Sequence, residues 1–492
     1  MSASHLHDVA RAFRDALPRE DRLEVFRIDG LDRTGVPVCE AALLPANGEP
    51  ATIGYGYGFE PIEAEVGAVG EVLEEYFVGE WAKRAPRVQS SFRAMVERHG
   101  LDAVADPLTL CLPAGSAWTP DTPLTWVEAR RFPDDTPISV PIEWVAAYPY
   151  QTGIPAELIM PITNGLGAGF DLGHALAHGL MELLQRDGNA VNYRALDQGV
   201  GVKMDAVEEP EVAALLERLR ALGINVTVKL AADDFGIPNL YVVGDDPQPA
   251  ISLQLTACGE AAHPDRARSL RKALLEFCGS RARKSATHGP IDAIRHVMPA
   301  DMADRQLRNA LAEEQEPRPV EAMAEWLAQD AAELRRRLAG SVFRVAREVP
   351  FSALPDAGPA LSADAGARLD WLVRALAAEG LDVIWVDCSP PGGSVRVVKA
   401  IVPGLESETM SYGRLGWRGV RRLRARRDPL LLDSPAPGAL RVRLRPEDET
   451  RCGGPAWWDA PAAERLVAPL FPLYRESGPF AAQLLLAKRC AA

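Results

Sequence analysis

The sequence lacks long hydrophobic runs, paired cysteines and a surplus of positive charge, and each lack closes a class of function. No stretch of the 492 residues approaches the roughly 18–20 uninterrupted apolar residues that cross a bilayer. The opening MSASHLHDVARAFRDALPRED carries acidic residues early and no apolar core of the kind a secretory signal needs. The seven cysteines, at positions 39, 111, 258, 278, 388, 452 and 490, are odd in number and fall in no CxxC or zinc spacing. A reduced, cytoplasmic setting without a disulfide framework is therefore expected. Cys278, inside an apolar helical pattern, is expected to be a buried structural thiol. Basic residues number 54 against 68 acidic ones, a formal net charge of −14, which disfavours holding nucleic acid by bulk electrostatics. The same balance is compatible with nucleotide binding, because a cation can bridge carboxylates to phosphates.

What is present reads as an ordinary globular protein, 47% apolar and 25% charged, long enough for one large or two to three smaller lobes. An amphipathic start (Val9, Phe13, Leu17) leads to a strand-like run, Leu23–Asp29. A Gly-bearing turn, Gly30–Gly35, separates that run from Val36–Leu44, which predicts a hairpin. A helix is predicted from about Pro61, with Val66, Val69, Leu73 and Phe77 on one stripe. Short strands are predicted at Thr125–Glu128, Ile138–Pro141, Glu143–Ala147, Val226–Leu230, Leu240–Val243, Ala250–Ala257, Val383–Val386 and Val395–Val402. Helices are predicted after Asp171, a suitable N-cap, around Arg266–Arg283, and through most of Met302–Leu338. Strands and helices alternate without the period of a doubly wound sheet, so the expected class is mixed α/β, or α+β. Arg421–Pro437 reads as a linker before a C-terminal segment with Trp457, Trp458, Phe471 and Tyr474.

Three predicted helices carry acidic residues beside apolar stripes. The first holds Glu71 and Glu74, three apart and so on one face. The second holds His174, His178 and Glu182 at four-residue steps, followed by Gln185 and Arg186, and the third holds Glu276 and Arg281. Spacing alone fits a solvated polar face as well as a site. The imidazoles of His174 and His178, with Glu182, fit either one shared borderline metal ion or a hydrogen-bonded polar pocket. Arg414, Arg418, Arg421, Arg422, Arg424, Arg426 and Arg427 form the densest basic cluster, open to a phosphate or acidic peptide or simply to solvent.

The order of segments resembles the YcaO family. The landmarks are Gly30–Leu31–Asp32–Arg33–Thr34–Gly35–Val36–Pro37–Val38, Gly70–Glu71–Val72–Leu73–Glu74, and Thr163–Asn164–Gly165–Leu166–Gly167–Ala168–Gly169. They continue with the helical Glu182…Gln185–Arg186–Asp187, Ala273–Leu274–Leu275–Glu276 ending at Arg281, and Val398–Lys399–Ala400–Ile401–Val402–Pro403–Gly404–Leu405–Glu406.

The resemblance implies a YcaO-like fold over residues 23–430, with pseudo-repeated strand–helix subdomains around a nucleotide site. A helix over 1–22 precedes it, and a segment over 431–492 packs on it. It implies ATP and Mg2+ as cofactors, Glu71, Glu74, Glu182, Glu276 and His174 toward metal, and Arg186, Arg281, Gln185 and Gly67 toward nucleotide. Family members activate a peptide backbone amide: a nucleophile adds to the carbonyl, the oxyanion attacks the γ-phosphate of ATP, and loss of phosphate leaves an azoline, thioamide or amidine. The implied partners are a precursor peptide and a second protein for substrate recognition or sulfur delivery, since no leader-binding module is visible before residue 23. The implied assembly is a homodimer, and no nucleic-acid or membrane partner is expected.

The sequence departs from the family pattern at several positions. Gly67 stands where a serine is usual, Glu75 where a basic residue often follows, and Phe170 and His174 where asparagine and glutamate are usual. Gln185 replaces a glutamate and Gly279 a glutamine. The stretch Leu486–Ala492 has no alternating prolines, unlike azoline-forming relatives, which favours a thioamide or other non-azoline product. Two readings stay open: an ATP-dependent enzyme maturing a ribosomally made peptide, or a degenerate scaffold that binds a peptide or partner enzyme.

Overall fold

The computed structural model describes residues 3–47, 51–190, 197–312, 317–393, 395–406, 413–473 and 476–491. It is mixed α/β with open sheets, as expected. The chain forms two compact units. One contains residues 1–72, 192–358 and 465–492, the other 73–191 and 359–464, so the division falls inside the helix Pro61–Arg84.

The first unit holds an antiparallel three-stranded sheet, Arg22–Arg27, Val38–Leu44 and Thr52–Tyr57, in that order. The predicted hairpin is therefore its first pair. It also holds a five-stranded sheet in the order Cys258–Ala262, Asn239–Asp245, Asn225–Ala232, Val200–Lys203, Arg347–Pro350, parallel only at the last pair. The helix Arg266–His288 lies on this sheet and buries Leu270, Leu274, Phe277 and Cys278 among Val228, Leu240 and Val242. Burial pushes the Cys278 thiol up to about 12, which makes it the inert core thiol expected. The helices Ala300–Ala312, Pro317–Ala328 and Ala331–Leu338 account for the charged helical stretch.

The second unit is built on an antiparallel sheet, Val88–Ser91, Pro123–Phe132, Val383–Asp387, Arg396–Ile401, Leu166–Gly169, with Pro137–Pro141 paired to its second strand. The helix Leu172–Ala190 packs on it, capped as expected: the carboxylate of Asp171 accepts from the backbone of His174 at 2.8 Å.

Three expectations are corrected. Glu143–Ala147 is not a strand; Ile142–Trp144 is a helical turn. The Glu143 carboxylate turns inward there and accepts from the backbone N–H groups of Glu157, Leu158 and Ile159 at 2.8, 2.8 and 2.9 Å. The apolar run Ala250–Ala257 is likewise a helical turn, Ser252–Leu255, and the strand begins only at Cys258. Carbonyls of the run are taken by basic side chains of the neighbouring helix, Gln254 by Arg281 at 2.6 Å and Thr256 by Lys284 at 3.0 Å, instead of by a sheet partner. Arg421–Pro437 is not a linker, because a helix spans Trp417–Ala425 and buries Val420 and Leu423. Of the aromatic residues grouped beyond it, Trp458 and Phe471 are buried and Trp457 is partly buried; Tyr474 lies outside the described residues.

Candidate functional site

The three acidic helices follow three glycine-bearing strands in one register. Gly54 and Glu71, Gly165 and Glu182, and Gly259 and Glu276 are each separated by the same seventeen positions. In each case a small residue fourteen positions after the glycine carries the close strand–helix contact. A Cβ on Gly54 would meet the carbonyl oxygen of Ala68 at 2.3 Å, and one on Gly259 that of Ala273 at 2.1 Å; a Cβ on Gly179 would meet that of Gly165 at 2.4 Å. Backbone can approach backbone this closely only without side chains between.

The closeness lets each glutamate reach back to a backbone N–H at or just after the glycine. Glu71 accepts from Tyr55 at 2.8 Å, Glu182 from Gly165 at 2.9 Å and Glu276 from Glu260 at 3.1 Å. One oxygen of each carboxylate is thereby fixed by the main chain.

In the first unit, Glu71 and Gly67 are exposed one turn apart. The strand Thr52–Tyr57 turns its glycines to the first acidic helix and its tyrosines to the third. The Tyr57 hydroxyl lies 3.4 Å from Glu276, and the Tyr55 ring lies under Arg283 at 5.4 Å. Gly279 packs against Tyr57, with a Cβ there 3.0 Å from the ring, so any larger residue would need the tyrosine to shift. Arg281 is placed differently from what a phosphate contact requires. It is 1% exposed, and its guanidinium donates to Asp32 at 2.9 Å, Asp246 at 2.8 Å and the Gln254 carbonyl.

In the second unit, His174, His178, Glu182, Gln185 and Arg186 make up the partly exposed face of their helix, and Arg186 pairs with Glu182 at 3.4 Å. Asp187, next in sequence, points inward and binds Arg418 at 3.2 Å and Arg422 at 2.6 Å. Much of the basic cluster thus has structural work: Arg414 donates to the carbonyls of Leu110 and Cys111, and Arg424 binds Asp433 and the Pro455 carbonyl. Glu74 is partly exposed, and Glu75 accepts from the Tyr148 hydroxyl at 2.7 Å.

Lys399 is the residue that sequence reasoning matched without giving it a task. Its buried ammonium donates to the Ile162 carbonyl. Burial pushes it down to about 8, while the charges of Glu182 and Glu74 act in its favour. A cavity of about 30 Å³, large enough for one water, is lined by Lys399, Asn164, Glu143 and Ile162. The amide nitrogen of Asn164, buried there, has no hydrogen-bond partner among the described residues. The signal in the sequence was a lysine inside the otherwise apolar strand Val397–Ile401.

Among the described residues no three His, Cys, Asp or Glu side chains are grouped to hold a metal ion by themselves, His174, His178 and Glu182 included. The donors that are present fit Mg2+ with a nucleotide. Carboxylate oxygens suit a hard cation, and Mg2+ is commonly held by one or two carboxylates with phosphates and waters completing its shell.

Comparison with known proteins gives these features a family. Residues 55–406 match the sequence profile of the YcaO cyclodehydratases, described as ATP- and Mg2+-binding. An uncharacterized protein of Methanothermobacter thermautotrophicus is 27% identical over 418 residues, covering 84% of this chain and 96% of that protein. Among solved structures, YcaO from Methanopyrus kandleri bound with AMPPCP and Mg2+ superposes with a TM-score of 0.57 at 19% identity, over 84% of this chain and 93% of the other. A heterocyclase in complex with substrate and cofactor gives a TM-score of 0.61 at 18% identity over 83% of this chain; the chain spans 53% of its length.

Proposed function

As the chain belongs to the YcaO family of ATP- and Mg2+-binding, cyclodehydratase-like enzymes of peptide modification, we propose that it phosphorylates a backbone amide of a ribosomally made peptide. The product we favour is a thioamide or another non-azoline linkage. The observation that supports this reading is the repeated seventeen-residue register, which leaves Glu71, Glu182 and Glu276 each oriented by a main-chain N–H.

In this reading Glu71, Glu74, Glu182 and Glu276 hold Mg2+ ions, one or two carboxylates to an ion, with phosphates and waters completing each shell. Gly67, one turn before Glu71, borders the nucleotide, and Arg186 and Gln185 meet it. His174 borders the metal as an altered contact. Arg281 acts from behind, fixing the third acidic helix through Asp32 and Asp246. ATP, when bound with Mg2+, supplies the phosphoryl group that turns the amide oxygen into a leaving group. The chain's own residues neutralise phosphate charge and fix the carboxylates before the cation arrives, so that little reorganisation is left for the reaction itself. Lys399, beside Glu182 and Glu74, offsets their mutual repulsion before any cation is bound. The partners we propose are a precursor peptide and a protein that recognises it or delivers sulfur. The setting is the cytoplasm and the assembly a homodimer.

Calorimetry with ATP and Mg2+ tests the reading on the wild type and on Glu71→Ala. Binding by the wild type, weakened about 10-fold or more in the variant, is expected. No binding by the wild type would leave a scaffold that binds peptide or partner enzyme without ATP chemistry.

A further inference from the structure

Two arginines follow Glu276 on the third acidic helix, and their surroundings are opposite. Arg281 is closed into the Asp32–Asp246 cluster. Arg283 lies seven residues after Glu276, two helical turns on and therefore on the same face. Its side chain is 38% exposed. It lies over the ring of Tyr55, whose N–H holds Glu71, and within electrostatic reach of Glu71 itself. The Arg283 Nε is buried and has no hydrogen-bond partner among the described residues. Its Nη2 pairs with Glu476 at 3.2 Å.

Glu476 is the less exposed of the two, at 18%. Burial would raise its carboxyl, but Arg283, with His288 and Lys284, holds it below the ordinary glutamate value. Four residues on, Phe480 anchors the segment: its side chain is fully buried, and its N–H donates to the Thr287 carbonyl at 3.0 Å. A carboxylate thus sits on a planar, five-donor group that feels the charge of Glu71 and shares a helix face with Glu276 two turns back, and carboxylate and phosphate oxygens compete for the same fork of a guanidinium.

We propose that Arg283 is a phosphate-binding residue of the nucleotide site and that Glu476 occupies its guanidinium in the absence of nucleotide, as a built-in competitor. Binding of the triphosphate exchanges Glu476 for phosphate oxygens, so the segment bearing Glu476 sets the affinity for nucleotide from outside the acidic helices. This rests on the ATP reading above.

The test is calorimetric titration with MgATP on the wild type, Arg283→Gln, Glu476→Gln and the double variant, with thermal melts to confirm folding. Arg283→Gln is expected to weaken binding about fivefold, and Glu476→Gln to tighten it by a similar factor, the scale of a partly exposed ion pair. The double variant is expected to match Arg283→Gln, since Glu476 acts only through Arg283. A purely structural ion pair would weaken binding in both single variants, and that result, or no change in either, overturns the proposal while leaving the ATP reading intact. If Arg283→Gln does not fold, Arg283→Lys replaces it, with weaker binding still expected because the bidentate fork is lost. A wild type that does not bind MgATP overturns both.

Discussion

Glu182 accepts a hydrogen bond at 2.9 Å from the backbone of Gly165, a residue seventeen positions before it. Gly179 permits this reach, because a Cβ there would meet the Gly165 carbonyl oxygen at 2.4 Å, so the helix comes up against the main chain of the turn. Glu71 and Glu276 make related bonds, each accepting from the residue just after the glycine, Tyr55 and Glu260, sixteen positions before it. At Gly54 and Gly259, glycine and glutamate are therefore one device: the first sets the distance that the second spans.

Gly259→Ala tests that device. The new Cβ would lie 2.1 Å from the Ala273 carbonyl oxygen and 2.2 Å from the Phe277 nitrogen, both backbone atoms that cannot rotate away. We expect a stability loss of about 3 kcal/mol, the upper range for overpacking a filled interior, read as a lower urea midpoint with an unchanged slope.

Asp187→Asn tests the buried ion cluster behind Arg186. Arg418 and Arg422 share this carboxylate, and both Arg418 and Asp187 are fully enclosed. Removing the charge while keeping the shape is expected to cost about 3–5 kcal/mol, measured by chemical unfolding. A loss no larger than that of an exposed ion pair would show that the arginines do not depend on it.

Glu40 predicts a pH dependence. It is 1% exposed on the strand Val38–Leu44, its Oε1 has no hydrogen-bond partner among the described residues, and burial pushes its carboxyl from 4.5 up to about 8. The folded chain then keeps this proton where the unfolded chain has released it. Its contribution is fully present below pH 4.5, declines as pH rises toward 8 and is constant above. The stability difference between wild type and Glu40→Gln should fall over that window in unfolding titrations at a series of pH values. A difference that is flat with pH, or that rises, would contradict it.

Much of the fold was legible from the chain. The hairpin of Arg22–Arg27 with Val38–Leu44, the helix from Pro61, the Asp171 cap and the strands near 226, 240, 383 and 396 all obey local rules of periodicity and capping. The two misread strands failed for one reason. At Glu143–Ala147 the N–H groups of Val145 and Ala146 go to the Ile142 carbonyl and that of Ala147 to the Gln151 side chain, while at Gln254–Thr256 Arg281 and Lys284 take the carbonyls, and no periodic pattern reports such partners. Arg421 misled because a helix dense in arginine reads like a linker, although Trp417, Val420 and Leu423 are buried on its other side.

The sequence by itself determined where the acidic groups lie: glutamates seventeen positions after glycines, their order along the chain, and an excess of acidic over basic residues. Tertiary structure decided what each charged group is free to do. Arg281 and Arg283 are two residues apart and chemically alike, yet one is closed among carboxylates and the other stands over Tyr55. The reason is that burial and counter-charge come from segments remote along the chain, Asp32 and Asp246 for the one and Glu476 for the other. Folding alone brings them together.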